Sequence, residues 1–149
     1  MMNLNKVVVI NAEGLVAGRL ASVVAKRLLR GERIVIVNAE KAIIVGKRKE
    51  IISRFKRRLT WRTYYNPEKR GPKLPRRPDL ILKRMVRGML PWKTPRGRKA
   101  YRRLKVYMGI PKEYENATFE DVPEARKKFI KLEYITLEEL AKEIGWNPP

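Results

Sequence analysis

Residues 7–45 read VVVINAEGLVAGRLASVVAKRLLRGERIVIVNAEKAIIV. Val7–Ile10 is a short, wholly apolar run, as expected of a strand buried on both faces in a parallel sheet. Ala17, Leu20, Ala21, Val24 and Leu28 then recur at helical spacing, with Arg19, Lys26 and Arg30 opposite. Gly31 stands where a helix ends on a left-handed glycine. Ile34–Val37 is a second apolar run, and Ala42–Val45 is either a third strand or a buried turn. Strand, helix and strand in this order imply an α/β fold with a parallel sheet.

Outward from this unit the charge becomes uneven. Residues 47–105 carry 23 of the 36 Lys and Arg and three acids, Glu50, Glu68 and Asp79, a net of +20 out of the formal +21. A segment so charged repels itself unless a polyanion is near, and the natural polyanion is a nucleic-acid backbone. The 149 residues fit a single domain, 1–149, and 44% hydrophobic content is enough for a core.

The absence of cysteine removes disulfides, thiolate metal sites and cysteine nucleophiles. The absence of histidine removes histidine bases, triads and histidine-ligated zinc. No carboxylates cluster in sequence for a magnesium site, and no cofactor is expected. Met1–Ile10 lacks the apolar run of a signal peptide, and no stretch approaches the roughly 18 apolar residues of a membrane span. A soluble, cytoplasmic protein is expected.

The turn NAEGLVAGR, Asn11–Arg19, invites a nucleotide-binding reading. It lacks the third glycine of a dinucleotide fingerprint, and Gly46-Lys47 lacks the context of a phosphate loop. The plainer expectation is that Gly14 makes a turn and Gly18 lets the helix approach the sheet.

Residues 46–62 read as a basic helix with Ile51, Phe55 and Leu59 inward and Arg54, Lys56, Arg57 and Arg58 outward. Trp61, with Arg62, Tyr64 and Tyr65 after it, is either a stacking surface for RNA bases or part of the core. Residues 63–78 hold four prolines and one glycine and form a loop or arm carrying Arg70, Lys73, Arg76 and Arg77. Leu80, Ile81, Met85, Val86 and Met89 resume a helix with Arg84 and Arg87, ending near Gly88–Pro91. Residues 95–108 read as one amphipathic helix: Ala100, Tyr101, Leu104, Tyr107 and Met108 share a face, against Arg98, Lys99, Arg102, Arg103 and Lys105. Pro95 suits the first helical position. Gly97 costs such a helix about 1 kcal/mol, and either close approach to a phosphate or contact with a neighbouring element accounts for it. Further on, Ile130, Leu132 and Tyr134 alternate as in an edge strand, and Thr136 to Glu139 fits a capping box opening a short helix.

The stretch RGMLPWKTPRGRKAYRRLKVYMGIP, Arg87–Pro111, resembles the signature of the large-subunit ribosomal protein family L13: Gly88–Pro91, Gly97-Arg98, and Leu104–Tyr107 with Gly109. Asn11–Ser22 and Val37–Gly46 also match, so the resemblance covers nearly the whole chain. The proline-rich arm 66–78 and the missing bacterial-type N-terminal extension resemble the archaeal branch. The resemblance implies a three-layer α/β/α domain with a mostly parallel sheet of about four strands, plus a basic helical and loop extension. It implies a structural, non-enzymatic constituent of the large subunit that binds large-subunit rRNA early in assembly beside neighbouring ribosomal proteins, with no small-molecule substrate. Within its signature, Arg87, Lys93, Arg96, Arg98, Arg102 and Arg103 are the phosphate-contacting candidates, assigned from the helical wheel. Two other readings stand beside it, a nucleotide-dependent RNA-modifying enzyme and a general RNA- or DNA-binding protein.

Overall fold

The computed structural model describes residues 6–128 and 131–149. Its first half contains β1 (Val7–Asn11), α1 (Ala17–Leu29), β2 (Arg33–Val37), β3 (Ile43–Val45) and α2 (Arg48–Thr60). Then follow α3 (Pro78–Gly88), α4 (Pro95–Arg102), β4 (Leu104–Val106), β5 (Phe119–Glu120), β6 (Tyr134–Thr136) and α5 (Leu137–Glu143). The main sheet has the order β4-β2-β1-β5 and every pair in it is parallel.

Strand side chains alternate between faces, and in-register pairing keeps one parity on one face across the sheet. Val8, Ile10, Ile34, Ile36, Leu104 and Val106 therefore share a face and pack into the main core. On that face α1 buries Ala17, Leu20, Ala21, Val24, Ala25 and Leu28, and α3 and α4 pack beside it. α1 ends at Arg30, and Gly31, at φ +98°, donates its N–H to the Leu28 carbonyl at 3.0 Å.

The opposite parity, Val9, Val35 and Val37, forms a smaller cluster. The chain leaving β4 at one edge must cross β2 and β1 to reach β5 at the other. Tyr107, Tyr114, Ala117 and Phe119 on this crossing cover the three valines. The three-layer α/β fold with a parallel four-stranded sheet is thus present, and its third layer is thin, a loop with a 3₁₀ turn at Lys112–Tyr114.

Three expectations change. The helix expected over 95–108 stops at Arg102, and Leu104–Val106 is the edge strand β4, paired Ile34 with Leu104 to Ile36 with Val106. Period alone does not separate a short strand from a helix end, and the ladder offered by β2 decides it. The third candidate strand forms as β3 but leaves the main sheet. Asn38 adopts φ +54°, a 3₁₀ turn follows at Ala39–Lys41, and β3 pairs antiparallel with β6. The expected edge strand begins only at Tyr134. Leu132 is exposed and outside it, and Ile130 lies outside the described residues.

Thr136 caps α5, its hydroxyl accepting the Glu139 N–H at 3.2 Å. The Glu139 carboxylate does not complete the box; it accepts from Arg48 of α2 at 3.0 Å. Arg48 also faces Glu143 at 3.5 Å. α2 is otherwise lightly held: Ile51 is buried, while Ile52, Phe55 and Leu59 are half-buried. No helix among the described residues is long and apolar enough to cross a membrane.

Leu104 is 1% exposed, so Leu104→Ala should cost about 2–5 kcal/mol in denaturant unfolding. Phe55→Ala, on the peripheral helix, should cost clearly less in the same measurement.

Candidate nucleic-acid interface

Pro78 opens α3, whose Ile81, Leu82 and Val86 are buried. The turn after it is held by one carbonyl. Pro91 accepts the Thr94 N–H at 3.0 Å and the Thr94 hydroxyl at 2.8 Å. That hydroxyl also accepts the Gly97 N–H at 3.3 Å, making Thr94 the N-cap of α4, with Pro95 at the first helical position. A Cβ on Gly97 would lie 2.0 Å from the Pro91 oxygen. Contact with a neighbouring backbone therefore accounts for this glycine, without any phosphate.

Cations and aromatics alternate across this turn. The Arg87 guanidinium lies 4.1 Å from the Trp92 ring centre, Trp92 meets Tyr101 edge-on at 5.1 Å, and the Lys83 ammonium lies 5.1 Å from Tyr101. Arg98 Nε donates to the Trp92 carbonyl at 3.1 Å. Such contacts fix cationic side chains where carboxylates are scarce. Burial raises the Tyr101 phenol above its ordinary pKa, opposed by the charges of Arg87 and Arg84. Arg84, Arg87, Trp92, Lys93 and Thr94 face one shallow, open depression.

On α2, Arg54, Lys56, Arg57 and Arg58 are all exposed, with Arg58 5.7 Å from the Phe55 ring centre. Trp61 is 56% exposed, Tyr65 74% and Tyr64 fully so. Trp61 is therefore not core. The arm that follows has local structure. The Thr63 hydroxyl donates to the Tyr65 carbonyl at 3.0 Å, and the Asn66 carbonyl accepts from Lys69 and Arg70. Arg70 lies 5.3 Å from the Tyr65 ring centre.

Arg62, Lys73, Arg76, Arg96, Lys99 and Arg102 are likewise exposed. Arg77 is exposed but ion-paired with the buried Asp79 at 3.1 Å. Two candidates stand apart. Arg103, expected off the packed face, is instead half-buried, and its Nη2 donates to the Leu28 carbonyl at 2.7 Å, closing the C-terminal turn of α1. The start of β4 places it there. Lys105 is exposed on β4 and has the parity of Val35, so it faces the thin side of the sheet. Sequence reading missed Thr94 as a cap, although Thr-Pro before a helix is a recognisable start signal. It also missed Arg33, which lies outside the basic segment and reaches it only through the β2–β4 pairing.

The first β-α turn differs from a phosphate cradle. Glu13 N–H donates to the Asn11 side chain, Gly14 N–H to the Lys41 carbonyl, Leu15 N–H to Ala12 and Val16 N–H to Ala125. These amides are thus committed inside the protein, and only the first turn of α1, which no side chain caps, keeps unpaired N–H groups in this stretch. The nearby cleft at the strand ends is lined by Glu13, Glu120 and Asp121 together with Arg126, and Glu120 and Asp121 are already paired, with Arg27 and Arg126. Gly14 does form a turn, at φ +73°, but Gly18 is exposed with open space around it, so it does not serve close packing.

Fold and surface together define a structural class, an α/β scaffold whose charge is displayed on ordered helices and an arm. The family profile described as "Ribosomal protein L13" matches residues 5–113. Proteins named "Large ribosomal subunit protein uL13" are similar along most of the chain. The one from Methanopyrus kandleri is 49% identical over 144 residues, spanning 95% of this chain and 88% of the relative. That from Pyrobaculum islandicum is 54% identical over 146 residues, 93% of this chain and 79% of the relative. That from Saccharolobus solfataricus is 43% identical over 142 residues, 95% of each. The chain belongs to the ribosomal protein L13 family, a family of structural ribosomal proteins and not of enzymes.

Gly97→Ala tests the turn. Helix propensity alone favours Ala by about 1 kcal/mol, yet the clash with Pro91 should reverse the sign and lower stability by about 1–3 kcal/mol, read from the unfolding midpoint. Arg103→Ala should lower stability by about 1–2 kcal/mol, whereas Arg102→Ala should leave the melting curve in place.

Proposed function

We propose that the chain is a structural constituent of the large ribosomal subunit that binds large-subunit rRNA through α2, the 63–78 arm and the α3–turn–α4 unit. The observation that carries this is the lack of counter-charge. Among the described residues beyond Arg48, the exposed cations of these elements form one ion pair, Arg77 with Asp79. A solvated protein surface ordinarily intersperses both signs. Here the phosphates of RNA supply the missing sign, with release of their condensed counterions.

Trp61, Tyr64 and Tyr65 add aromatic faces beside Arg62 and Arg70, suited to unstacked bases. Specificity then comes from RNA shape and from bases splayed out of helices. A surface with so little internal neutralisation favours early engagement with rRNA during assembly. The partners are large-subunit rRNA and neighbouring ribosomal proteins, and the site of action is the cytoplasmic ribosome.

Replacing Arg96 and Lys99 together by Ala should leave the thermal midpoint unchanged, since both are exposed. Binding to deproteinised large-subunit rRNA should weaken, and the slope of log affinity against log salt should flatten by about 0.7–0.9 for each phosphate no longer neutralised. Equal affinity of the wild-type chain for duplex DNA at the same salt would sink the assignment to rRNA.

A further inference from the structure

In-register pairing gathers a second group of cations beyond the end of α4, on the thin side of the sheet. Val7 pairs with Arg33, and Val35 pairs with Lys105. All four share the parity of Val9, so their side chains face the thin side of the sheet, opposite α1 and α3. Arg102 and Arg103, at the end of α4, reach the rim of the same cleft, whose volume is about 350 Å³. Its floor is apolar, formed by Val7, Val35 and Tyr114, and Val7 is 42% exposed.

Arg33, Arg102, Arg103 and Lys105 have no carboxylate within ion-pair distance among the described residues. The acid next to Arg33 in sequence, Glu32, is held by Arg27 at 2.7 Å. Arg103 Nε is buried without a hydrogen-bond partner. Converging cations without counter-charge over an open apolar floor call for a ligand that answers both.

We infer that this cleft is a second RNA site, taking a phosphodiester segment among Arg33, Arg102 and Lys105 with its adjoining base or ribose against Val7 and Tyr114. A nucleotide chain alternates anionic and flat apolar units in every residue, as the rim and floor do, whereas a uniformly acidic peptide offers the floor nothing apolar. The protein then holds two rRNA segments, one on each side of its sheet. This inference rests on the rRNA-binding reading above.

The test is charge reversal in the whole chain. Arg33→Glu with Lys105→Glu is compared with Arg19→Glu and Lys26→Glu, an equal charge change on the exposed outer side of α1. Affinity for deproteinised large-subunit rRNA is measured across a salt series. The cleft variant should lose about tenfold or more near 0.15 M salt, with a slope shallower by about 1–2, and the α1 variant should change little. A cleft variant that binds like wild type, or an α1 variant that loses as much, overturns the inference while leaving the rRNA reading in place. A wild-type chain that shows no salt-dependent rRNA binding overturns both. Thermal melting accompanies each variant, and Arg33→Ala with Lys105→Ala replaces the reversal if it unfolds. Methyl NMR supplies the second readout. Val7 and Val35 signals should shift with a short oligoadenylate; a shift with polyglutamate alone assigns the cleft to an acidic protein segment and overturns the proposal.

Discussion

The parallel, in-register pairing of β1 with β2 governs what the rest of the chain does. It assigns each residue of the two strands to a face, and β4 and β5 inherit the assignment. The even side, with Ile10, Ile34 and Ile36, is broad and apolar enough to seat α1, α3 and α4. The odd side offers Val9, Val35 and Val37 and is closed by a loop. Burial on the even side is thus the principal source of cohesion, at roughly 25 cal/mol for each Å² of apolar surface removed from water.

That cohesion has to hold elements that repel one another. Local carboxylates are few, and much of the acid goes elsewhere: Glu32 and Glu120 to Arg27, Glu139 and Glu143 to Arg48. In the α3–turn–α4 unit the substitute is aromatic. Trp92 and Tyr101 sit between Arg87 and Lys83, and the Pro91 carbonyl with Thr94 fixes the turn they surround. These contacts orient the cations without neutralising them, so their fields remain available to a phosphate. Surface ion pairs would have added little stability in exchange for that loss.

Much of this was legible in the residues. The apolar runs at Val7–Ile10 and Ile34–Val37 and the stripe of α1 were plain, because each is longer or purer than any competing pattern. The basic helices followed from charge and period together. The segment 95–108 misled, because Leu104 fits both a helical stripe and a buried strand; only the vacant edge of β2 tells them apart. Arg103 misled for the same reason, its neighbour Leu28 being 75 residues away in sequence. Gly97 was visible as an anomaly, but its cause, the Pro91 carbonyl, is a contact that no periodicity encodes. Arg33 lies outside the basic segment, and its company on the sheet depends on pairings that sequence spacing does not reveal.

Between α4 and β4 only Arg103 intervenes. A helix that runs into a strand through one residue has no linker in which to absorb torsion. Because β4 is hydrogen-bonded to β2, tilting α4 would strain the sheet edge itself. The cations of α4 on one side and Lys105 on the other are consequently set at a fixed separation, like marks on a ruler. The junction is a rigid spacer, and whatever docks on the helix is held at a distance from the far side of the sheet that backbone geometry dictates.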